Sequence, residues 1–201
     1  MNPRLHLFFF LLISASGFSQ QYAFEYWHDG RIILDSGDTL KGQLKYNMQN
    51  DIVELQASNK LETYTARKIV TFEIFDVTTK RYRKFYTLPY ALNGQYKAPV
   101  FFELIEEGKI TLLAREALET RSYSSYYTYG AYTRIVLVNK FFFLKEDGSI
   151  ISFSGKKNDI IELMGSKGEL VQKYMKEQKI DFDKKYDVGR TVEYYNSLFK
   201  R

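Results

Sequence analysis

Over residues 30–153, apolar positions alternate with polar ones or cluster in short runs, with Gly, Asn, Asp and Pro between them. A period of two sends successive side chains to opposite faces, as in a half-buried strand. On this basis 31–35, 39–46, 52–56, 61–65, 69–77, 82–87, 100–105, 109–115, 135–138, 141–144 and 150–153 read as strands. Ser36-Gly37-Asp38, Glu107-Gly108 and Asp147-Gly148 supply the residues that tight hairpin turns demand. The links are too short for crossover helices, which predicts an antiparallel meander. Pro89 and Pro99 bracket a segment rich in Asn, Gly and Gln that reads as a longer loop.

After Phe153 the period changes. Ile160, Ile161, Leu163 and Met164 share a helical face, and Gly165 is placed to stop that helix. Ser166-Lys167-Gly168-Glu169 has capping-box spacing and opens a second helix with Leu170, Val171, Tyr174 and Met175 on one side. A third, with Asp187 as its expected N-cap, aligns Val188, Val192, Tyr195 and Phe199. The predicted fold is α+β: a mainly antiparallel meander, either a sandwich or a partly open barrel, followed by about three short helices packed on it. The expected division is 1–19 as an export leader, 20–154 as the β domain and 155–201 as the helical segment.

The leader is read from Arg4, then the apolar run of Leu5, Leu7, Phe8, Phe9, Phe10, Leu11, Leu12 and Ile13, then small residues ending at Gly17 and Ser19. Charge, apolar stretch and small-x-small exit stand in the order of a cleaved signal peptide, with Gln20 as the new N-terminus. The run is shorter than the roughly 20 apolar residues of a membrane-spanning helix, and no later run approaches that length. No cysteine follows it, which excludes a lipid anchor on Cys. The expected location is therefore periplasmic or secreted, with outer-membrane association still open.

Composition narrows the chemistry. The chain of 201 residues is 45% hydrophobic and 17% aromatic, carries a net charge of +5 and has no cysteine. That is apolar enough for a core without metal or disulfide support, and it removes thiol catalysis and thiolate metal sites. Cleavage of the leader would take away Arg4 and His6, leaving His28 as the single histidine, expected on the surface or rim. Basic and acidic residues are interleaved. Even the dense Lys80-Arg81-Tyr82-Arg83-Lys84 run lies in a strand whose alternate side chains diverge, so no nucleic-acid partner is expected. An outer-membrane barrel is disfavoured because most predicted strands fall short of the 9–11 residues such strands need and the chain closes in helices.

Candidate chemistry is sparse. Asp35-Ser36-Gly37 resembles half of an aspartic-protease site, but no second copy appears, Asp38 follows the glycine, and a hairpin turn accounts for every residue. Asp181-Phe182-Asp183 begins a calcium-loop pattern that Lys185, Tyr186 and Val192 break. A glycan hydrolase could draw two carboxylates from Glu25, Asp29, Asp35, Asp38, Glu103 and Glu106, a spatial question that sequence leaves open. No phosphate-binding loop occurs, and no cofactor is expected.

The unusual feature is Tyr123, Tyr126, Tyr127, Tyr129 and Tyr132, crowded within residues 122–133. In one extended segment Tyr123, Tyr127 and Tyr129 would share a face, with Tyr126 on the other. Such a row, with Trp27, suits stacking on sugars, lying against a membrane interface or binding a partner; a hairpin with its aromatics packed across strands, one face in the core, is the structural alternative.

Trp27-His28-Asp29-Gly30-Arg31-Ile32-Ile33-Leu34 with Gly37-Asp38-Thr39-Leu40-Lys41-Gly42, together with the closing Lys173-Tyr174-Met175-Lys176 and Tyr194-Tyr195-Asn196-Ser197-Leu198, resembles small exported β-rich proteins of unassigned function from Bacteroidetes-type bacteria. The resemblance implies an envelope location in a Gram-negative cell and brings no catalytic residue. The expected function is that of a non-enzymatic binding or interaction module whose partner is an envelope protein or glycan. A carboxylate-dependent hydrolase acting on envelope or extracellular glycans is the alternative.

Overall fold

The computed structural model describes residues 22–92, 94–125 and 130–199. The predicted leader, and Tyr126, Tyr127 and Tyr129, lie outside these residues. The described chain forms β1 (His28–Leu34), β2 (Thr39–Asn47), β3 (Ile52–Ala57), β4 (Lys60–Thr65), β5 (Ile69–Asp76), β6 (Arg81–Tyr90), β7 (Ala98–Glu106), β8 (Ile110–Ser125), β9 (Gly130–Lys145) and β10 (Ile150–Ser152). The helices α1 (Lys157–Leu163), α2 (Gly168–Glu177) and α3 (Lys185–Ser197) follow. This is the predicted α+β architecture. None of these helices is long and apolar enough to cross a membrane.

All ten strands join one antiparallel sheet in the order β10-β9-β8-β7-β6-β5-β1-β2-β3-β4. It is not a simple meander: β5 pairs with β1, whereas strict chain order would place it beside β4. Only residues 66–68 link β4 to β5, and so short a link reaches at most about 15 Å. The sheet must therefore curl to bring the end of β4 near the start of β5. Gly30 and Gly42, opposite each other in the β1–β2 register, permit the tight approach. A Cβ on Gly30 would collide with the Glu73 carbonyl oxygen, and one on Gly42 with that of Gln56. The curled sheet does not close into a barrel, and β4 and β10 remain its edges.

The predicted turns hold. Gly37 and Gly148 adopt positive φ of 90° and 79°, conformations that cost a glycine little. Strand lengths depart from expectation: β6 has 10 residues and β8 and β9 have 16 each. Length therefore no longer separates this sheet from a membrane barrel; the open edges do. The Pro-bracketed loop shrinks because Pro89 and Pro99 face each other inside β6 and β7.

Two helix starts also differ. The residue capping α2 is Lys167, Ser166 makes no side-chain cap bond, and a 3₁₀ turn at Gly165–Lys167 occupies the expected capping site. The cap of α3 is Lys184, with Asp187 in the first turn. From there the Asp187 carboxylate accepts the Asp181 N–H at 3.1 Å and pairs with Arg190 at 2.8 Å, so it complements the positive helix end without occupying the cap position.

One sheet face carries two apolar cores in series. The first gathers Ile32, Leu44, Tyr46, Phe72, Phe85 and Phe101 with their neighbours. The second joins Leu112, Ala114, Phe141 and Phe143 to Ile160, Val171, Met175, Val188 and Val192 of the helices. Burying this stripe is what holds the short helices, which would not persist in isolation. Asn196 of α3 locks the junction by bonding both backbone groups of Ile110, at 3.1 and 3.0 Å. A smaller core around Phe102, Leu113 and Phe142 lies on the reverse face.

Candidate functional site

Between the two serial cores lies a buried ionic cluster. On β7 the same-face residues run Phe101, Glu103, Ile105, from one core to the other with a carboxylate between. By the same alternation β5 offers Asp76 after Ile74, β6 offers Arg83 before Phe85, and β8 offers Glu116 after Ala114. The Arg83 guanidinium, 4% exposed, binds Glu103 through Nε at 2.9 Å and Nη2 at 2.7 Å. It also reaches Glu116 at 2.6 Å and Asp76 at 3.1 Å. The Tyr46 hydroxyl accepts from Arg83 Nη1 at 2.7 Å and donates to Glu116 at 2.8 Å. From α3, Lys185 Nζ donates to both Glu103 oxygens at 3.0 Å. A second buried cation, Arg115, holds the β2–β3 turn by binding Asp51 at 2.8 Å and the carbonyl oxygens of Met48 and Phe101.

Burial opposes the charged form of each acid, and the partners overcome it. Burial pushes Asp76 up, but the Thr78 hydroxyl and amide, with Arg83, bring it down from 3.8 to about 2. Glu103 is likewise lowered, Arg83 and Lys185 outweighing its burial. Burial pushes Arg83 down, and the charges of Glu103 and Glu116 more than reverse this, raising it well above its ordinary value. Burial and the Glu116 charge push the Tyr46 phenol well up.

The sign of the pH dependence follows. As pH falls through about 4, the unfolded chain takes up protons that folded Asp76 and Glu103 still refuse, so folding stability drops. The urea midpoint should stay level from neutrality to about pH 5 and decline steadily toward pH 2. A midpoint unchanged between pH 5 and pH 2.5 would contradict this ionisation pattern.

These carboxylates have no free approach. Of the six acids considered for hydrolysis only Glu103 enters the cluster, where Arg83 and Lys185 occupy both its oxygens. The cavity beside Glu116, roofed by Phe24 and walled by Met48, Leu118 and Leu137, has room for about 30 Å³, the volume of roughly one water. His28 is corrected from the rim to the interior, at 0% exposure. Its Nδ1 accepts the Val77 N–H at 3.2 Å and its Nε2 donates to the Ala23 carbonyl at 2.7 Å, so this core histidine ties the N-terminal 3₁₀ turn to the end of β5.

The accessible feature is the far half of β8 and β9. β7 accompanies β8 only to Ala114, and β10 accompanies β9 only to Phe142. Beyond these points the two strands pair with each other alone, through Ser125 and Gly130. Tyr123 and Tyr132 are direct cross-strand partners. Their rings stack at 5.6 Å and 20°, and they are 38% and 43% exposed. Aromatic pairing across antiparallel strands is thus present for Tyr123 and Tyr132, on solvent-facing rings; the row of Tyr123, Tyr127 and Tyr129 reaches outside the described residues. Trp27 is half-buried just before β1 and makes no ring contact with this pair among the described residues. Ile135, 59% exposed, lies on the opposite ribbon face; the Tyr22 hydroxyl donates to its carbonyl at 3.2 Å.

On the tyrosine face, Arg121 stands directly opposite Arg134 one pair further along. Arg134 lies 5.2 Å from the Tyr132 ring centre. Where the ribbon meets the sheet, a groove of about 320 Å³ runs past Arg121 and Lys140, with Phe141, Phe153 and Phe182 in its walls and Asn139, Ser154 and Asp183 supplying polar groups.

Sequence reasoning missed Arg83, Asp76, Glu116, Tyr46 and Lys185 as a group. The available signal was charge at positions where strand alternation demands apolar side chains. Comparison of the chain with protein-family models, with curated proteins and with solved structures gave no match in any of the three.

Proposed function

We propose that this is an exported cell-envelope protein that binds and does not catalyse, and that the β8–β9 ribbon is its ligand surface. The observation that carries the reading is the stacked, solvent-facing Tyr123–Tyr132 pair on a ribbon with no further strand beside it. Burying the two rings within one side of the sheet would have gained apolar stabilisation; rigid aromatic area left in water is a common mark of a recognition surface. The buried carboxylates point away from hydrolysis, because one guanidinium and one ammonium engage them.

Two measurements test it with the full chain. Expressed with a C-terminal tag in a Gram-negative host, the protein should leave the cytoplasm and begin at Gln20 by mass spectrometry; an uncleaved cytoplasmic chain would refute export. The purified mature protein should sediment with isolated envelope material, and Tyr123→Ala/Tyr132→Ala should weaken that capture roughly tenfold or more, as for truncated aromatic anchors. Capture unchanged by the double substitution would remove the ribbon from the function.

A further inference from the structure

The tyrosine face of the ribbon carries more positive charge than its own acids neutralise. Arg121, Arg134 and Lys140 share this face with a single carboxylate, Glu119. Glu119 is hydrogen-bonded to Lys140 and lies 3.9 Å from the Arg121 guanidinium. Among the described residues no carboxylate pairs with Arg134. Like charges directly opposite on a β-ribbon destabilise it, so the Arg121–Arg134 pair costs the free protein energy that an anion set between them would return. Arg134 lies over the Tyr132 ring and Arg121 leans toward Glu119, so an anion drawn to this pair position would gather the two guanidinium forks, a donor set that suits a carboxylate or phosphate group.

The next pair along is the tyrosine stack, a flat amphipathic platform for the C–H face of a sugar ring. In the other direction lies the groove of about 320 Å³, which has Arg121 in its lining. Its volume falls in the range of small-ligand sites. Phe141, Phe153 and Phe182 give it apolar walls, and Asn139, Ser154 and Asp183 give it groups that hydrogen-bond hydroxyls. Ring platform and arginine pair thus adjoin on one face, and the groove beside them wraps the β9 edge, lined by Glu119, Arg121 and Lys140 of that face and by Asn139 and Phe141 of the opposite one.

We infer that this face binds an anionic glycan, with the carboxylate or phosphate of one residue held between Arg121 and Arg134, a ring on Tyr123 and Tyr132, and the adjoining sugar in the groove. The inference rests on the ribbon being the binding surface. A concave site with Asp183 on its wall fits a hydroxylated chain better than a flat anionic bilayer, which that carboxylate would repel.

The test is affinity electrophoresis of the mature protein through gels containing polygalacturonate, phosphomannan or neutral dextran, alongside flotation with phosphatidylglycerol vesicles. Retardation is expected in at least one anionic glycan and not in dextran, and it should weaken as salt is raised. Which polymer retards identifies carboxylate or phosphate as the anion. Arg121→Gln/Arg134→Gln should reduce the retardation at least tenfold with a melting temperature no lower than that of the native chain. Equal retardation in dextran, no retardation in any glycan, flotation with vesicles without glycan binding, or full retardation of the arginine variant would each overturn the inference. Envelope sedimentation separates the two failures: if the tyrosine variant loses capture while the arginine variant keeps it, the ribbon stands and the anion is wrong. If neither loses capture, the ribbon itself is wrong.

Discussion

Arg83→Met should destabilise the fold by about 3–5 kcal/mol, the usual cost of removing one partner from a buried ion pair. The loss of attraction is the smaller part of the effect. Asp76, Glu103 and Glu116 are each less than a tenth exposed, and without the guanidinium they would have to stay charged in a medium of low polarity or take up protons. Since small domains have only about 5–15 kcal/mol of stability in all, the variant should lie close to unfolding at 37 °C. Urea denaturation followed by circular dichroism measures the loss. Adding Glu116→Gln to Arg83→Met should restore part of it by removing one stranded charge. A double variant no more stable than the single one would contradict this account. Tyr46→Phe, which removes one hydroxyl from the same network, should cost only about 1–2 kcal/mol.

Phe72→Ala should cost a similar 3–5 kcal/mol for a different reason. Phe72 is 1% exposed. It stacks on Phe85 at 4.3 Å and 6° and meets the edge of Phe101 at 5.1 Å and 82°. These rings come from β5, β6 and β7, so the side chain binds three successive strands where the sheet curls. Truncation leaves a cavity that the taut sheet cannot collapse to fill. The denaturant slope should stay constant while the midpoint falls. By contrast Tyr123→Ala on the exposed ribbon should change stability by no more than about 0.5 kcal/mol. A loss below 1 kcal/mol for Phe72→Ala would show that this aromatic layer is not the centre of the first core.

The strands were legible because alternation is local. Ile69–Asp76 shows Phe72 and Ile74 on one face without knowledge of any partner strand. Pairing was less legible: adjacency of consecutive strands suggested a continuous meander, and only the curl permits β5 to reach β1. The long reach of β8 and β9 was hidden because their outer halves carry Ser, Thr, Tyr and Arg, which show no core-facing period on an exposed ribbon.

The candidate surface was half visible. Tyrosine crowding singled out Tyr123 and Tyr132, but no local pattern shows that they face each other or that Arg121 and Arg134 come next. The charged cluster was hidden more deeply. Asp76, Arg83, Glu103 and Glu116 each stand where alternation calls for an apolar side chain, but nothing local shows that they meet, and Lys185 looks like an ordinary charge at a helix start.

By itself the sequence determined the element types, most turns, the segregation of helices at the C-terminal end and the absence of cysteine chemistry, because these depend on residue identity and spacing over a few neighbours. The tertiary structure alone decided which charges are buried together, why His28 lies inside, where the sheet stops and how the ribbon's tyrosines and arginines align. Those outcomes depend on strand register and sheet curvature, which bring together residues as distant as Tyr46 and Glu116. Their energies arise only when water has been excluded between them.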